Sequence, residues 1–108
     1  NANHTGDVYL LMMDADGFKQ INDRYGHVEG DRALQLISTA PKDVCSASGG
    51  FIARYGGDEF VVLQKAIAEQ DIMRLCEAIN DELARTEVPY LLRMSIGYAR
   101  MGDGVDTW

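Results

Sequence analysis

Apolar and polar positions along the chain fall into short blocks whose period changes from one to the next. Residues 8–13, Val8-Tyr9-Leu10-Leu11-Met12-Met13, are a continuous apolar run bounded by polar residues, which predicts a strand buried on both faces. From Phe18 the period becomes helical. Phe18, Ile21 and Tyr25 stand three and four residues apart, and Gly26 ends that short helix. Gly30 breaks the pattern again, and Asp31 opens a second helix along Ala33, Leu34 and Ile37 as far as Ala40, where Pro41 helps to end it. Residues 42–50 then read as a loop. Residues 51–55 and 60–63 are strand-like, and the Gly56-Gly57 pair between them predicts a two-residue hairpin turn in which glycine supplies positive φ. Residues 69–85 place Ile72, Leu75, Ile79 and Leu83 on one stripe of an amphipathic helix, with Pro89 beyond its end. Across residues 90–100, Leu92, Met94, Ile96 and Tyr98 alternate with Arg93, Ser95, Gly97 and Ala99, the pattern of a last strand. Residues 1–7 are polar and read as a frayed terminus.

This order describes an α/β (α+β) domain, a mixed sheet flanked by helices with a central β-hairpin. The first strand reaches its partner through a helical crossover, and the middle strands form an antiparallel pair. If the first strand lies beside the hairpin, its C-terminal end meets the glycine turn at one edge of the sheet. Asp14 then meets Asp58.

Composition narrows the class. A chain of 108 residues has room for a single domain, 1–108, and its 46% hydrophobic and 25% charged content is ordinary for a globular one. A net charge of −7 argues against nucleic acid as a partner, which recruits lysine and arginine to displace counterions. An anionic ligand would therefore need metal ions or a local cluster of donors. The longest apolar run is far too short to span a bilayer, and the expectation is a soluble, cytoplasmic domain. Cys45 and Cys76 lack metal-site spacing and read as reduced thiols.

Candidate chemistry gathers at the two places that the topology joins. Asp58 and Glu59, after the glycine pair, either hold a divalent cation on a stiff frame or simply start a polar strand. Asp14 and Asp16 end the first strand, where acids line a crevice, and share a side if the strand continues through them. Gly17 and Phe18 open the first helix next to Asp14, with free N–H groups of the kind that receive phosphate.

Three ordered blocks now fit together. Asp14-Ala15-Asp16-Gly17-Phe18-Lys19-Gln20-Ile21-Asn22-Asp23, continuing through Gly26-His27 to Gly30-Asp31, is followed by Arg54-Tyr55-Gly56-Gly57-Asp58-Glu59-Phe60 and then Ser95-Ile96-Gly97. In order and spacing they closely resemble the signature blocks of the GGDEF family of diguanylate cyclases. The resemblance implies a fold of the nucleotide-cyclase and polymerase-palm type and the condensation of two GTP into cyclic di-GMP with release of pyrophosphate, using Mg2+ (or Mn2+). It implies Asp14, the main-chain carbonyl of Ala15 and Asp58 as metal ligands, with Glu59 close by. It places Asn22 and Asp31 at the guanine edge, His27 as a further substrate contact, and Gly17, Phe18 and Lys19 at the phosphates, with Gly56 and Gly57 also lining the substrate. Asp58 and Lys19 become the catalytic pair, one accepting a proton and the other offsetting charge. A homodimer is implied, because each GTP is held by one domain, and sensor or phosphodiesterase domains are implied elsewhere in a parent chain.

Each assignment has a plainer alternative. Asn22 caps or bridges the turn after the short helix, Asp31 is an N-cap, and His27 is a buried structural histidine, the favoured reading for that residue. Tyr9, Tyr25, Tyr90 and Tyr98 read as core or rim aromatics. Two departures from the family stand out. The inhibitory R-x-x-D positions are occupied by Ala47 and Gly50, which implies no feedback inhibition by product there. The opening L-T-G-L segment and the closing A-D-x-A-L-Y helix are not among the 108 residues, which reads as a domain missing both flanks. An inactive GTP-binding regulatory domain and a structural dimerisation module are the competing functions, and the intact acidic and glycine blocks favour the enzyme.

Overall fold

The computed structural model describes residues 6–101, so the expected frayed start lies largely outside the described residues. Strand β1 (Asp7–Ala15) leads into helix α1 (Phe18–Ala47), then β2 (Phe51–Arg54), β3 (Glu59–Ala66), helix α2 (Glu69–Ala84) and β4 (Met94–Arg100). The strands form one sheet in the order β2-β3-β1-β4. The α+β class holds, but every pairing is antiparallel where a mixed sheet was expected. The reason is the split crossover. The α1 connection carries the chain past the position beside β1, the hairpin return puts β3 into it, and α2 then delivers β4 to the other side of β1.

The core lies on one face of the sheet. Tyr9, Leu11 and Met13 of β1 are buried there with Phe60, Val62 and Met94, against Ile21, Ala33, Ile37 and Cys45 of α1 and Ile72, Ile79 and Leu83 of α2. Each large side chain of this set contributes about 1.5–3 kcal/mol by leaving water. Burial of β1 on both faces is corrected. Its alternate residues point the other way, and Met12 is 50% exposed, as in an antiparallel strand with one packed face.

Helix α1 is where the structure departs most from the expected elements. It is continuous except at Gly26, whose φ of 89° and ψ of 172° interrupt it. That conformation is essentially reserved for glycine and divides α1 into an arm of residues 18–25 and an arm of residues 27–47. Gly30 is buried within the second arm and does not break it, so Asp31 lies inside a helix and is not an N-cap. Pro41 does not end the helix either, and residues 42–47 are helical where a loop was expected. Ala40, Pro41 and Cys45 are all buried, and this packing outweighs the roughly 3 kcal/mol that an interior proline costs. The stop comes later, where Ser48 N–H donates to Cys45 O at 3.1 Å and Gly49 takes a left-handed φ of 78°.

Two side-chain amides fasten the remaining elements. Buried Gln64 donates to Ser48 O at 2.9 Å and ties the end of α1 to β3. Asn80 of α2 donates to Met94 O at 3.1 Å and accepts from Met94 N–H at 2.8 Å, holding the start of β4. Strand β4 begins there and not at Tyr90, because Pro89 and Tyr90 are bonded to α1 instead. No helix among the described residues is long and apolar enough to cross a membrane.

Candidate active site

Three segments converge at the C-terminal end of β1. Asp14 is the register partner of Glu59, Ala15 N–H donates to the main-chain carbonyl of Asp58 at 3.3 Å, and Asp16 N–H donates to Arg93 O at 2.8 Å. The connection between β2 and β3 is residues 55–58, closed by Tyr55 N–H donating to Glu59 O at 3.2 Å. The expected two-residue turn with positive φ is thus replaced by a wider loop, and neither Gly56 nor Gly57 is among the glycines with positive φ. Gly56 serves clearance instead: a Cβ there would stand 2.7 Å from Glu59 Oε1. Around Gly57 a Cβ would meet nothing within 4 Å, so this part of the loop borders open space. Arg54 Nε braces the loop by donating to Gly56 O at 3.1 Å.

The side chains of Asp14 and Asp58 lie close enough to interact. Local desolvation, then the charge and proximity of Asp58, raise the Asp14 carboxyl above its ordinary value of 3.8, and Glu59 and Asp16 push it the same way. The charges that raise it are all negative. Two neighbouring carboxyls form an oxygen-donor pair of the kind a hard divalent ion takes. Among the described residues no three His, Cys, Asp or Glu side chains converge on one point. A cation held here would therefore draw on oxygens beyond these side chains as well. Glu59 leans over Gly56 beside the pair.

The strand does not run through Asp16, the condition for its sharing a side with Asp14, because β1 ends at Ala15. The Asp16 carboxylate instead accepts from Ser95 Oγ and lies 3.9 Å from Arg93 Nε. This tie between the end of β1 and β4 was not foreseen, although the Ser95-Ile96-Gly97 block was its signal.

Gly17, at φ 68°, turns the chain into α1, and its carbonyl accepts from Ile21 N–H at 3.2 Å. Phe18 is half-buried against the core and Lys19 is exposed in the first turn, which contains no acid. Asn22 lies over Gly30, where any Cβ would collide with Asn22 Oδ1. The break at Gly26 thus folds Asn22 against the residue next to Asp31, which is exposed. His27 is exposed, which removes the buried structural reading for it. Tyr9 and Tyr98 meet edge-on at 6.2 Å, and the Tyr25 and Tyr90 rings lie tilted at 5.1 Å.

The antiparallel sheet, with acids at the end of its central strand facing a glycine loop, is a fold of the nucleotide-cyclase and polymerase-palm type. Residues 1–108 match the family described as "Diguanylate cyclase, GGDEF domain", and the chain belongs to that family. It is 36% identical over 113 residues to the diguanylate cyclase DosC of Escherichia coli K12, a match covering 98% of this chain and 24% of DosC. It is 37% identical over 95 residues to the diguanylate cyclase DgcM of the same organism, covering 86% of this chain and 23% of DgcM. The chain therefore spans about a quarter of the length of these curated relatives. Among solved structures, the GGDEF domain of TpbB (YfiN) from Pseudomonas aeruginosa superposes with a TM-score of 0.79 at 31% identity, over 94% of this chain and 62% of that one. The GGDEF domain of DgcB from Caulobacter crescentus, solved in complex with c-di-GMP, gives 0.80 at 27% identity, over 92% and 62%.

Proposed function

We propose that this domain condenses two GTP into cyclic di-GMP and pyrophosphate, with Mg2+ (or Mn2+) as cofactor. The observation that carries this reading is the proximity of Asp14 and Asp58 beside the N-terminus of α1, in a chain of the diguanylate cyclase family. Asp14, Asp58 and the Ala15 carbonyl would hold the ion, with Glu59 adjacent. When bound, a divalent cation neutralises the triphosphate and lowers the proton affinity of the attacking hydroxyl.

The chain's own groups account for the rest. The first N–H groups of α1, at Gly17 and Phe18, together with Lys19, receive phosphate oxygens, since a helix start offers unpaired donors and positive potential. Asp58 accepts the proton of the ribose 3′-hydroxyl. Guanine presents an N–H and an amino group beside one carbonyl. Asp31 accepts from the first two, the Asn22 amide matches the remaining edge, and exposed His27 is a further contact. Gly56 and Gly57 leave the loop beside the phosphates free of side chains.

One such domain holds one GTP, so turnover requires two copies facing each other. Because residues 1–108 span about 24% of DosC, the natural setting is a larger chain with sensor or phosphodiesterase domains. Free thiols at Cys45 and Cys76 fit a cytoplasmic location, and net negative charge fits a protein with no nucleic-acid partner.

The test is to incubate the full-length parent with GTP and Mg2+ and chromatograph the products, alongside Asp58→Ala. Cyclic di-GMP is expected from the wild type and none from the variant. GTP binding without product would instead mark a regulatory domain. Adding cyclic di-GMP to the same assay is expected to leave turnover undiminished, since Ala47 and Gly50 replace the inhibitory residues. Gly50 also has no room for a side chain, because a Cβ there would collide with Gln64 Oε1.

A further inference from the structure

The break in α1 is crossed by one packing contact, Asn22 over Gly30, and Gly26 itself adds no restraint. Gly26 has the backbone freedom to rotate one arm against the other, and nothing lies within 4 Å of the place its side chain would take. Yet Asn22 stands on one arm and Asp31 on the other. Their spacing is set by that contact together with whatever else fastens the two arms.

Two consecutive residues of the loop before β4 do this, one for each arm. Pro89 O accepts from the Tyr25 hydroxyl at 3.2 Å, on the last residue before Gly26. The Tyr90 hydroxyl is shared between Glu29 Oε1 at 3.0 Å and Glu29 O at 3.3 Å, on the second arm. The Tyr25 and Tyr90 rings lie 5.1 Å apart, inclined at 54°, so the two bonds are joined by an aromatic contact. Arg24 lies 5.8 Å from the Tyr25 ring centroid. Burial, and then the bond to Glu29, raise the Tyr90 hydroxyl above its ordinary range.

We infer that Tyr25, Glu29 and Tyr90 staple the two arms of α1 across Gly26 and so set the spacing of Asn22 and Asp31, making Tyr90 a positioning residue for guanine recognition. The inference rests on the function proposed above, in which Asn22 and Asp31 read the base. It concerns a loop outside all three signature blocks.

The test compares a non-hydrolysable GTP analogue with its inosine counterpart, which lacks the 2-amino group, by calorimetry on the full-length parent with Mg2+. Tyr90→Phe keeps the ring and removes only the shared hydroxyl bond. It is expected to reduce the guanine-over-inosine preference about five-fold, the size of one modest hydrogen bond. Glu29→Gln retains an acceptor for Tyr90 and is expected to keep the preference. Amide hydrogen exchange at residues 27–31 is expected to quicken in Tyr90→Phe and not in Glu29→Gln. A purely stabilising role would lower the melting temperature without moving the preference. An unchanged preference in Tyr90→Phe beside a discriminating wild type overturns the positioning role and leaves the proposed function standing. A wild type that does not discriminate overturns the guanine reading itself, and the positioning role with it.

Discussion

The Asp16 carboxylate accepts from Ser95 Oγ and lies near Arg93, whereas that of Asp14, two residues earlier, lies close to Asp58 and is pushed up by the negative charges of Asp58, Glu59 and Asp16. Both acids belong to the same motif, and both are exposed. The contrast separates two jobs. Asp16 is electrostatically compensated and ties the end of β1 to β4. Asp14 and Asp58 are held together against their own repulsion by β1, β3 and the loop between β2 and β3, an arrangement that a bound cation would relieve.

Breaking the uncompensated side should have the largest effect. In the parent, Asp14→Asn is expected to lower cyclic di-GMP turnover on the order of 100- to 1000-fold, measured at saturating Mg2+. The same substitution should act in the opposite direction on stability without metal. An acid whose folded value is raised binds more proton folded than unfolded. Stability is therefore greatest below the unfolded value of 3.8 and falls as pH rises through the folded one. In the presence of a chelator at neutral pH, Asp14→Asn should melt higher than the wild type, and the gap should close in acid. An Asn variant that melts lower at neutral pH would show that the pair is not repulsive.

The compensated side should respond less. Ser95→Ala frees Asp16 and is expected to cost about tenfold in turnover by loosening the end of β1, the scale of an outer group that orients a ligand. Arg93→Ala removes only an exposed pair at 3.9 Å and is expected to change stability by less than about 0.5 kcal/mol by calorimetric melting. A larger loss at Arg93 than at Ser95 would reverse the proposed division of labour.

Much of the site could be read before any coordinates, because motif spacing and strand ends are local properties. The meeting of Asp14 with the glycine loop followed from element order once the first strand is taken to lie beside the hairpin, and the register of Asp14 with Glu59 agrees with it. Helix α1 was misjudged at Gly30, Pro41 and residues 42–47 because local breaker rules lost to burial. Gly30 is glycine to make room for Asn22, a contact across a break that no local rule anticipates. His27 was expected inside and lies outside for a similar reason: it follows Gly26 directly, and the angle of that break decides which way the arm faces.

Residue order by itself was enough for the α+β class, the positions of the acids and glycines, and the family to which the chain belongs, since periodicity and motif spacing are written along the backbone. It was not enough for the antiparallel pairing of all four strands, the turning of Asp16 toward Ser95, or the bonds from Pro89 and Tyr90 to α1. The last two depend on residues separated by 61 to 79 positions, as in Tyr90 with Glu29 and Ser95 with Asp16. Such partners are chosen by the packing of the sheet against both helices, where exclusion of water and shape determine which distant groups come within bonding reach.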